Sequence, residues 1–194
     1  MIENMDVVDA IAVRRAYRAF SDRPVERKNI IALAKAMCLA PSCNNNQPWR
    51  VIICCKDSLQ RVKEALDLGN VWATAAPLIM VLASKPSLDC RLNDGRDYYQ
   101  FSCGLAVGQM ILRASELGLI AHPIAGYDPC KIKDACGIPE DNVIITLIVC
   151  GYPGEDISLL SDDQIAQQKE RPKRLPLGDT LFFEEWEEPY ISSD

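Results

Sequence analysis

The chain has 194 residues, of which 48% are hydrophobic and 25% charged, a composition that is typical of a globular domain and excludes a disordered or fibrous protein. Its formal net charge is −6, with 21 Lys and Arg against 27 Asp and Glu, so the basic surface that nucleic acid or an anionic membrane requires is not expected. We expect one domain over residues 1–194, in which the residues from about 152 onward form a tail.

The charge is distributed unevenly along the chain. Residues 14–35 carry seven basic and two acidic side chains, whereas residues 178–194 carry six acidic side chains and no basic one. The acidic total therefore hides a cationic segment near the start of the sequence, and a cluster of guanidinium groups can bind an anionic ligand.

The sequence has nine cysteines and one histidine. Residues 1–9 hold three acidic side chains instead of the basic start of a signal peptide, and the uncharged run at residues 71–83 is too short to cross a bilayer. We therefore expect a cytoplasmic protein whose cysteines stay reduced and pack as small apolar side chains. A metal site is not expected, because no C-x-x-C pair occurs and one histidine cannot form a multi-histidine site.

Hydrophobic periodicity predicts helices separated by short buried strands. In chain order, the predicted helices are residues 7–12, residues 30–38 ended by Pro41, a helix behind Asp57 or Ser58, and residues 98–119 ended by Gly118. The predicted strands are residues 51–55, 78–83 and 143–150, with an edge strand at residues 180–183. This alternation indicates an α+β or α/β sandwich.

The first candidate site is the run Arg14, Arg15, Ala16, Tyr17 and Arg18 at the end of the first predicted helix. Arg14 and Arg18 are four residues apart, so they would share one helical face if that helix continued, and both could bind phosphate oxygens. The alternative is a solvated helix surface, because charged side chains on helices mostly face water.

The second candidate site is residues 40–49, where two prolines bracket a run of asparagine and glutamine side chains. Amides both donate and accept hydrogen bonds, so they can bind the edge of a heteroaromatic ring. The alternative is an asparagine-rich turn, since asparagine tolerates left-handed backbone angles. We expect Trp49 to pack in the core rather than to stack on a ligand.

The third candidate site is residues 122–128, where Pro123 and Gly126 bound a predicted tight turn whose backbone N–H groups could face a ligand. We expect His122 to be a structural residue rather than a general base. A serine hydrolase is not expected either, because the sequence has no G-x-S-x-G motif.

Taken together, these sites resemble the motifs of the nitroreductase family of FMN-dependent oxidoreductases. Residues 14–18 are similar to its early arginine-rich phosphate motif, residues 41–49 to its P-S-x-x-N-x-Q-P-W motif, and residues 123–126 to its P-x-x-G turn. Residues 149–153 and 171–174 resemble its V-G-Y-P segment and its late basic motif. The matches keep the family's order and spacing over nearly the whole chain, which resembles a short member of the family.

The resemblance implies an α+β sandwich with a mostly antiparallel or mixed sheet flanked by helices. It also implies an intertwined homodimer with two FMN sites, each of which draws residues from both chains. In such a site the early arginines and a late one hold the ribityl phosphate, the amides reach the flavin from the partner subunit, and the backbone at Ala125 and Gly126 places an N–H against flavin N5. The implied cofactor-binding residues are Arg14, Arg15, Ala16, Arg18, Pro41, Ser42, Asn45, Gln47, Pro123, Ile124, Ala125, Gly126 and Arg174.

The implied activity is the transfer of hydride from NADH or NADPH through flavin N5 to a nitroaromatic, quinone or similar electron-poor acceptor, by a ping-pong route. No side chain would be a catalytic residue, since the flavin is the reactive group. Tyr98, Tyr99 or Phe101 could form an aromatic wall over the flavin, with ordinary helix packing as the alternative. Two other functions stay open: reductive dehalogenation or flavin transformation on the same fold, and a flavin-binding redox sensor without enzymatic activity.

The sequence departs from the family's pattern at several places. Ala16 stands where a small hydroxyl residue is common, and Ala125 stands where some members have an acidic residue. Residues 69–73 hold no counterpart of the lysine that larger members place near the flavin, and the chain lacks their long insertion. The first departure removes one phosphate hydrogen bond, so we expect modestly weaker FMN binding.

Overall fold

The computed structural model describes residues 5–186. The chain separates into two compact units, Met1–Ser161 and Asp162–Asp194, and each is described by itself. The described part of the first unit holds a four-stranded sheet with helices on both faces. The described part of the second unit holds the helix Asp162–Lys169 and the short 3₁₀ helix Leu177–Asp179.

The sheet is antiparallel throughout and has the strand order β1-β2-β4-β3. Its strands are β1 (Arg50–Cys54), β2 (Leu78–Ser84), β3 (Ile120–Ile124) and β4 (Val143–Gly151). Every residue of β2 is buried, because β2 lies between two neighbouring strands and helices cover both of its faces. The α+β sandwich is therefore confirmed, as are the predicted strands that correspond to β1, β2 and β4.

The described residues form six α-helices, of which the first four match the predicted helices with ends that differ by a few residues, whereas the last two were not predicted from the sequence. They are α1 (Val7–Val13), α2 (Arg27–Cys38), α3 (Asp57–Lys63), α4 (Tyr99–Glu116), α5 (Pro129–Cys136) and α6 (Asp162–Lys169). Gly118 takes a φ of +69° just after α4, which is the left-handed conformation that ends a helix. Between residues 5 and 186, no helix is long and apolar enough to cross a membrane.

Alternate residues of β2 point to opposite sides of the sheet, so the core has two layers. Ile79 and Val81 pack with Val62 of α3 and Ile132 of α5 on one face. On the other face, the residues that pack together include Leu78, Met80, Leu82, Leu33 of α2 and Met110 of α4. The helices α3 and α5 therefore cover one face of the sheet, and α2 and α4 cover the other. Packing on both faces holds the ends of the sheet in fixed positions.

Two predictions of local structure are wrong. Residues 120–124 form the edge strand β3, although the sequence indicated a tight turn from Pro123 to Gly126. An edge strand tolerates a proline, because one side of it needs no ladder hydrogen bond. Residues 180–183, in the described part of the second unit, form no strand, and the 3₁₀ helix Leu177–Asp179 with the turns after it takes that place.

The chain after β4 packs tightly against the chain that follows α1. The N–H of Gly154 donates to the carbonyl oxygen of Ala19 (3.0 Å), and the N–H of Ser21 donates to that of Tyr152 (3.0 Å). A Cβ added to Gly154 would lie 2.3 Å from the carbonyl carbon of Phe20. Glycine is therefore required at this position for the two segments to approach.

We expect Gly154→Ala to lower the free energy of unfolding by at least about 2 kcal/mol, because the backbone of Phe20 cannot move aside as a flexible side chain would. Gly69→Ala is the control, since nothing lies within 4 Å of its added Cβ, and it should stay within about 0.5 kcal/mol of the wild type. Urea unfolding followed by circular dichroism measures both. Equal stability of Gly154→Ala and the wild type would contradict the close pairing.

Candidate functional site

Residues 14–18, here called the arginine segment, do not continue α1. The helix ends at Val13, and Arg14 has φ −55° and ψ 122°, which is not a helical conformation. The condition under which Arg14 and Arg18 would share a helical face, a helix that continues past Val13, is therefore not met. The physical reason is that the chain immediately after the segment pairs with the residues that follow β4, as the bridge between Phe20 and Pro153 shows, and this pairing requires an extended backbone.

His122 lies beside the arginine segment, with 8% of its surface exposed. Its Nδ1 is 3.1 Å from the carbonyl oxygen of Tyr17, and Nδ1 donates this hydrogen bond because a carbonyl can only accept. The pKa of His122 is lowered to about 4, chiefly by burial and in addition by the positive charges of Arg18 and Arg14. The ring is therefore neutral at pH 7, and both guanidinium groups lie within electrostatic range of β3.

The indole of Trp72 packs between the arginine segment and β3. The guanidinium carbon of Arg18 is 5.8 Å from the centre of the Trp72 ring, and the His122 ring is 4.7 Å from it. The ring of Phe20 also stacks on that of Trp72, with the two ring centroids 6.1 Å apart. Burial lowers the pKa of Arg18, but a guanidinium stays charged at neutral pH. Trp72 was not among the predicted site residues, because it lies in the uncharged run at residues 71–83, which holds no polar motif.

Gly126 follows β3 and is held by two hydrogen bonds to its carbonyl oxygen. The N–H of Asp67 donates one (3.2 Å) and Nδ2 of Asn70 donates the other (2.9 Å). A Cβ on Gly126 would lie 2.6 Å from that Nδ2 atom, so a side chain at this position would disrupt the arrangement. The Gly126 carbonyl is therefore fixed, and Ala125 before it is exposed. Residues 123–126, the end of β3 and the two residues after it, are here called the glycine turn. The sequence analysis missed Asp67 and Asn70.

Residues 42–47, here called the amide loop, precede β1. The hydroxyl of Ser42 accepts from the N–H of Gln47 (2.9 Å), and Nε2 of Gln47 donates to both the carbonyl oxygen (3.2 Å) and Oδ1 (3.3 Å) of Asn45. Asn44, Asn45 and Gln47 take positive φ angles of 48°, 56° and 49°. The asparagine-rich turn is therefore present, and its backbone is one that most side chains disfavour. Trp49 is buried in the core behind it, as expected.

A surface cavity of about 450 Å³ lies beside the amide loop. It is lined by Ala34, Met37, Cys38, Asn46, Gln47, Trp49, Arg50 and Val51. This lining combines apolar side chains with a few amide groups, which is the usual composition of a site for a small organic ligand.

Cys43, inside the amide loop, forms a disulfide with Cys90. The prediction that all cysteines stay reduced is wrong for this pair, and the other seven cysteines are free. The two partners are 47 residues apart in the sequence, so no local pattern could have revealed the pairing. In the chain-entropy account, closing a loop of this length restricts the unfolded chain by roughly 4 kcal/mol.

A second pair of cysteines lies between α5 and the end of β1. The sulfurs of Cys54 and Cys136 are 3.8 Å apart. The pKa of Cys54 is lowered to about 7, first by the hydrogen bond from Cys136, and Ser58 and Arg61 lower it further. Cys54 is fully buried, so this pair forms part of the core that α3 and α5 cover.

The amide loop and the arginine segment lie at opposite ends of the sheet. The hydroxyl of Ser84, the last residue of β2, donates to the carbonyl oxygen of Pro48 (2.9 Å) and so holds the loop at that end. Leu78, the first residue of β2, pairs with Cys150 near the end of β4, where the chain that carries the arginine segment is attached. The length of the seven-residue β2, about 20 Å, separates the two ends.

The other predicted site residues are placed as follows. Arg174 is exposed in an irregular part of the second unit, so its approach to the arginine segment stays a prediction. Tyr99 is buried, whereas the ring of Tyr98 lies 5.2 Å from that of Phe101, which is 56% exposed. An aromatic wall would therefore be formed by Tyr98 and Phe101, and Tyr99 packs in the interior.

The sequence model of the Nitroreductase family matches residues 11–68 and 59–152. The match covers more than half of the chain and includes the arginine segment, the amide loop and the glycine turn. The chain therefore belongs to the Nitroreductase family, a family of oxidoreductases.

Relatives and solved structures agree with this membership. A protein of Archaeoglobus fulgidus, provisionally named an NADH dehydrogenase/NAD(P)H nitroreductase, is 29% identical over 151 residues, which are 75% of this chain and 84% of the relative. A solved structure described as an oxidoreductase containing FMN superposes with a TM-score of 0.80 at 26% identity, covering 97% of this chain and 96% of that one. A nitroreductase family protein from Clostridium difficile 630 superposes with a TM-score of 0.77 at 22% identity, covering 93% and 99%.

We expect His122 to make stability depend on pH. Its pKa is about 4 in the folded chain and about 6.5 when unfolded, so the unfolded state binds more protons between these values. The stability that the neutral ring contributes is therefore complete above pH 6.5 and lost as the pH falls towards 4, a change of about 3 kcal/mol.

Urea unfolding at pH 7 and pH 4.5, with an NMR titration of this single imidazole, measures the effect. His122→Asn is the matched control, because its amide can still donate to Tyr17, and it should flatten the dependence in this range. An imidazole that titrates near pH 6.5 in the folded protein would contradict the buried, electropositive environment.

Proposed function

We propose that the chain is an FMN-dependent oxidoreductase that passes hydride from NADH or NADPH to a nitroaromatic, quinone or similar electron-poor acceptor by a ping-pong route. The observation that carries the proposal is the convergence of Arg14 and Arg18 on His122, in a protein whose net charge is −6. The similar structure described as an oxidoreductase containing FMN supports flavin as the ligand. The name of the Archaeoglobus relative supports a nicotinamide as the electron donor.

The residues of the arginine segment fit the phosphate end of FMN. A phosphate ester carries between one and two negative charges near pH 7, and guanidinium groups bind its oxygens with paired hydrogen bonds. Arg14 and Arg18 would supply these bonds, joined by Arg15 and by Arg174 of the second unit. The buried rings of Trp72 and its neighbours exclude water from one side, which strengthens the attraction.

The glycine turn and the amide loop fit the ring end of FMN. The carbonyl group of Gly126 is held by Asp67 and Asn70, so the backbone N–H groups at Ala125 and Gly126 would keep a fixed position against a planar ring. Ser42, Asn45 and Gln47 offer amide and hydroxyl groups that can bind the polar edge of the same ring. When bound, FMN supplies the hydride chemistry at N5, and the chain's residues hold and orient it.

The complete site would be built by two protomers. The arginine segment and the amide loop lie about 20 Å apart in one chain, at opposite ends of β2. Val7 and Val8 of α1 are exposed by 68% and 72%, and Phe101 of α4 is exposed on the same side of the sheet as α2. A second copy of the chain that covers these apolar faces would bring its amide loop to the arginine segment of the first copy.

We expect Arg18→Ala to weaken FMN binding 10- to 100-fold, because one charge-assisted pair of hydrogen bonds to phosphate is lost. The measurement is the quenching of FMN fluorescence on titration with protein. Arg96→Ala is the matched control, since Arg96 forms an exposed ion pair with Asp94, and it should bind FMN as the wild type does. FMN should also raise the pKa of His122, which the NMR titration reports independently of activity. A colourless protein that cannot be loaded with FMN would contradict the proposal.

We expect Gly104→Leu to shift the protein from dimer to monomer and to reduce FMN binding with it. An added side chain meets open space within one protomer, so the fold should be retained, but it would obstruct a helix of a second copy. Lys131→Leu, on α5 at the other face of the sheet, is the control and should leave the dimer unchanged. Sedimentation velocity measures the mass, and a wild-type protein that is monomeric at micromolar concentration would contradict the two-chain site.

A further inference from the structure

The amide loop is tied to the rest of the first unit at one place by a covalent bond. The disulfide joins Cys43, in the loop, to Cys90, which follows a 3₁₀ helix at the end of β2. Beside it, Nδ2 of Asn46 donates to Oδ1 of Asp89 (3.1 Å), whose Oδ2 accepts from the hydroxyl of Ser102 (2.7 Å). If the disulfide opened, hydrogen bonds such as the one from Asn46 to Asp89 would have to hold the amide loop against the chain around Cys90. Each such bond contributes little to stability on its own.

The loop depends on such a restraint because its backbone is unfavourable. Asn44, Asn45 and Gln47 all have positive φ angles; asparagine tolerates such angles, but Gln47 keeps its angle only where the surrounding structure enforces it. Cys43 lies directly before these residues, so the disulfide acts on the part of the loop that carries the strain. Opening it should therefore increase the motion of residues 42–47 more than that of the strands.

The surroundings of the two sulfurs favour attack on one of them. Both Cys43 and Cys90 are partly exposed, so a small molecule can reach the bond. The sulfur of Cys90 accepts from Nδ2 of Asn44 (3.5 Å) and of Asn46 (3.6 Å), which would stabilise negative charge on it. Cys90 is therefore the better leaving thiolate, and the incoming thiolate would attack Cys43. The carboxylate of Asp89 opposes this charge and so favours the closed state.

We propose that the Cys43–Cys90 disulfide is a thiol–disulfide exchange site for low-molecular-weight thiols, and that its state sets how firmly the amide loop is held. A thiolate attacks the sulfur of Cys43, forms a mixed disulfide and releases the Cys90 thiolate, which takes up a proton. A second thiolate attacks the outer sulfur of the mixed disulfide and releases the Cys43 thiolate, which is also protonated. Two thiols are oxidised to one disulfide, and the protein disulfide is reduced by two electrons.

The consequence for ligand binding rests on the proposed function, since it takes the amide loop to be part of the FMN site. Opening the disulfide frees a strained loop that must be reordered when FMN binds. We therefore expect FMN to bind about fivefold more weakly to the reduced full-length protein, and to regain its affinity on reoxidation.

The test titrates the full-length protein with mixtures of reduced and oxidised glutathione, followed by alkylation and peptide mass spectrometry. We expect Cys43 and Cys90 to become alkylated together and reversibly as reduced glutathione increases. Cys90→Ser should accumulate one glutathione adduct on Cys43, and Asn46→Ala should slow opening about threefold. Cys130→Ser, which removes an exposed free cysteine on α5 at the other face of the sheet, is the matched control and should behave as the wild type.

Hydrogen exchange of residues 42–47 gives a readout that needs no flavin. We expect exchange in this segment to increase about tenfold when the disulfide opens, with β2 unchanged. Unchanged hydrogen exchange in residues 42–47, or a disulfide that neither forms nor opens across the glutathione range, would contradict the proposed thiol–disulfide exchange site. Failure of both redox states to bind FMN would overturn the proposed function instead, and the alkylation and exchange results would still decide the present proposal.

Discussion

The length and burial of β2 determine where ligand-type residues can meet. Its seven residues are buried on both faces, and their side chains alternate between the two halves of the core. A shift of one residue in its pairing would send every one of these side chains to the wrong layer, so the strand is fixed in register. The amide loop at one end and the arginine segment at the other are therefore held apart by a fully buried strand. In our proposal, each protomer contributes its arginine segment to one FMN site and its amide loop to the other, and a second copy of the chain completes both sites.

Local electrostatics, and not the overall charge, make one end of the sheet suitable for an anion. The protein carries a net charge of −6, yet the pKa of His122 is lowered first by burial and in addition by the positive charges of Arg18 and Arg14. The neighbouring Trp72 keeps water from one side of this group, which reduces screening. In our proposal, a phosphate bound at this end of the sheet would add attractive contacts to both guanidinium groups. The same residues would then contribute to both ligand affinity and the stability of the loaded protein.

Much of the fold could be predicted from local patterns in the sequence. Residues 78–83 and 143–150 are continuous apolar runs, and such runs identify strands buried on both faces. The edge strand β3 was missed because Pro123 and Gly126 are also turn residues, and only the pairing with β4 distinguishes the two structures. The backbone that follows α1 could not be predicted for a related reason. The extended conformation of the arginine segment depends on Gly154, a residue more than a hundred positions away.

The candidate site was predicted less completely than the fold. Each of the three motifs was found, since each is a short run of polar or special residues, but the residues that support them are distant in sequence. Asn70, Trp72 and Cys90 reach the site only through tertiary structure. The disulfide in particular joins cysteines 47 residues apart, and among nine cysteines no spacing distinguishes this pair. The assignment of each residue to FMN stays a prediction for the same reason, since it depends on a second chain.

A mixed dimer tests the central claim most directly. One chain would carry Arg14→Ala with Arg18→Ala, the other Asn45→Ala with Gln47→Ala, and the two would be co-expressed with different tags and purified as the heterodimer. If each site combines the arginine segment of one protomer with the amide loop of the other, one site is intact, and the heterodimer binds one FMN although neither mutant homodimer binds any. If each site were built within one chain, both sites would be damaged. A heterodimer that binds no FMN would therefore contradict the account.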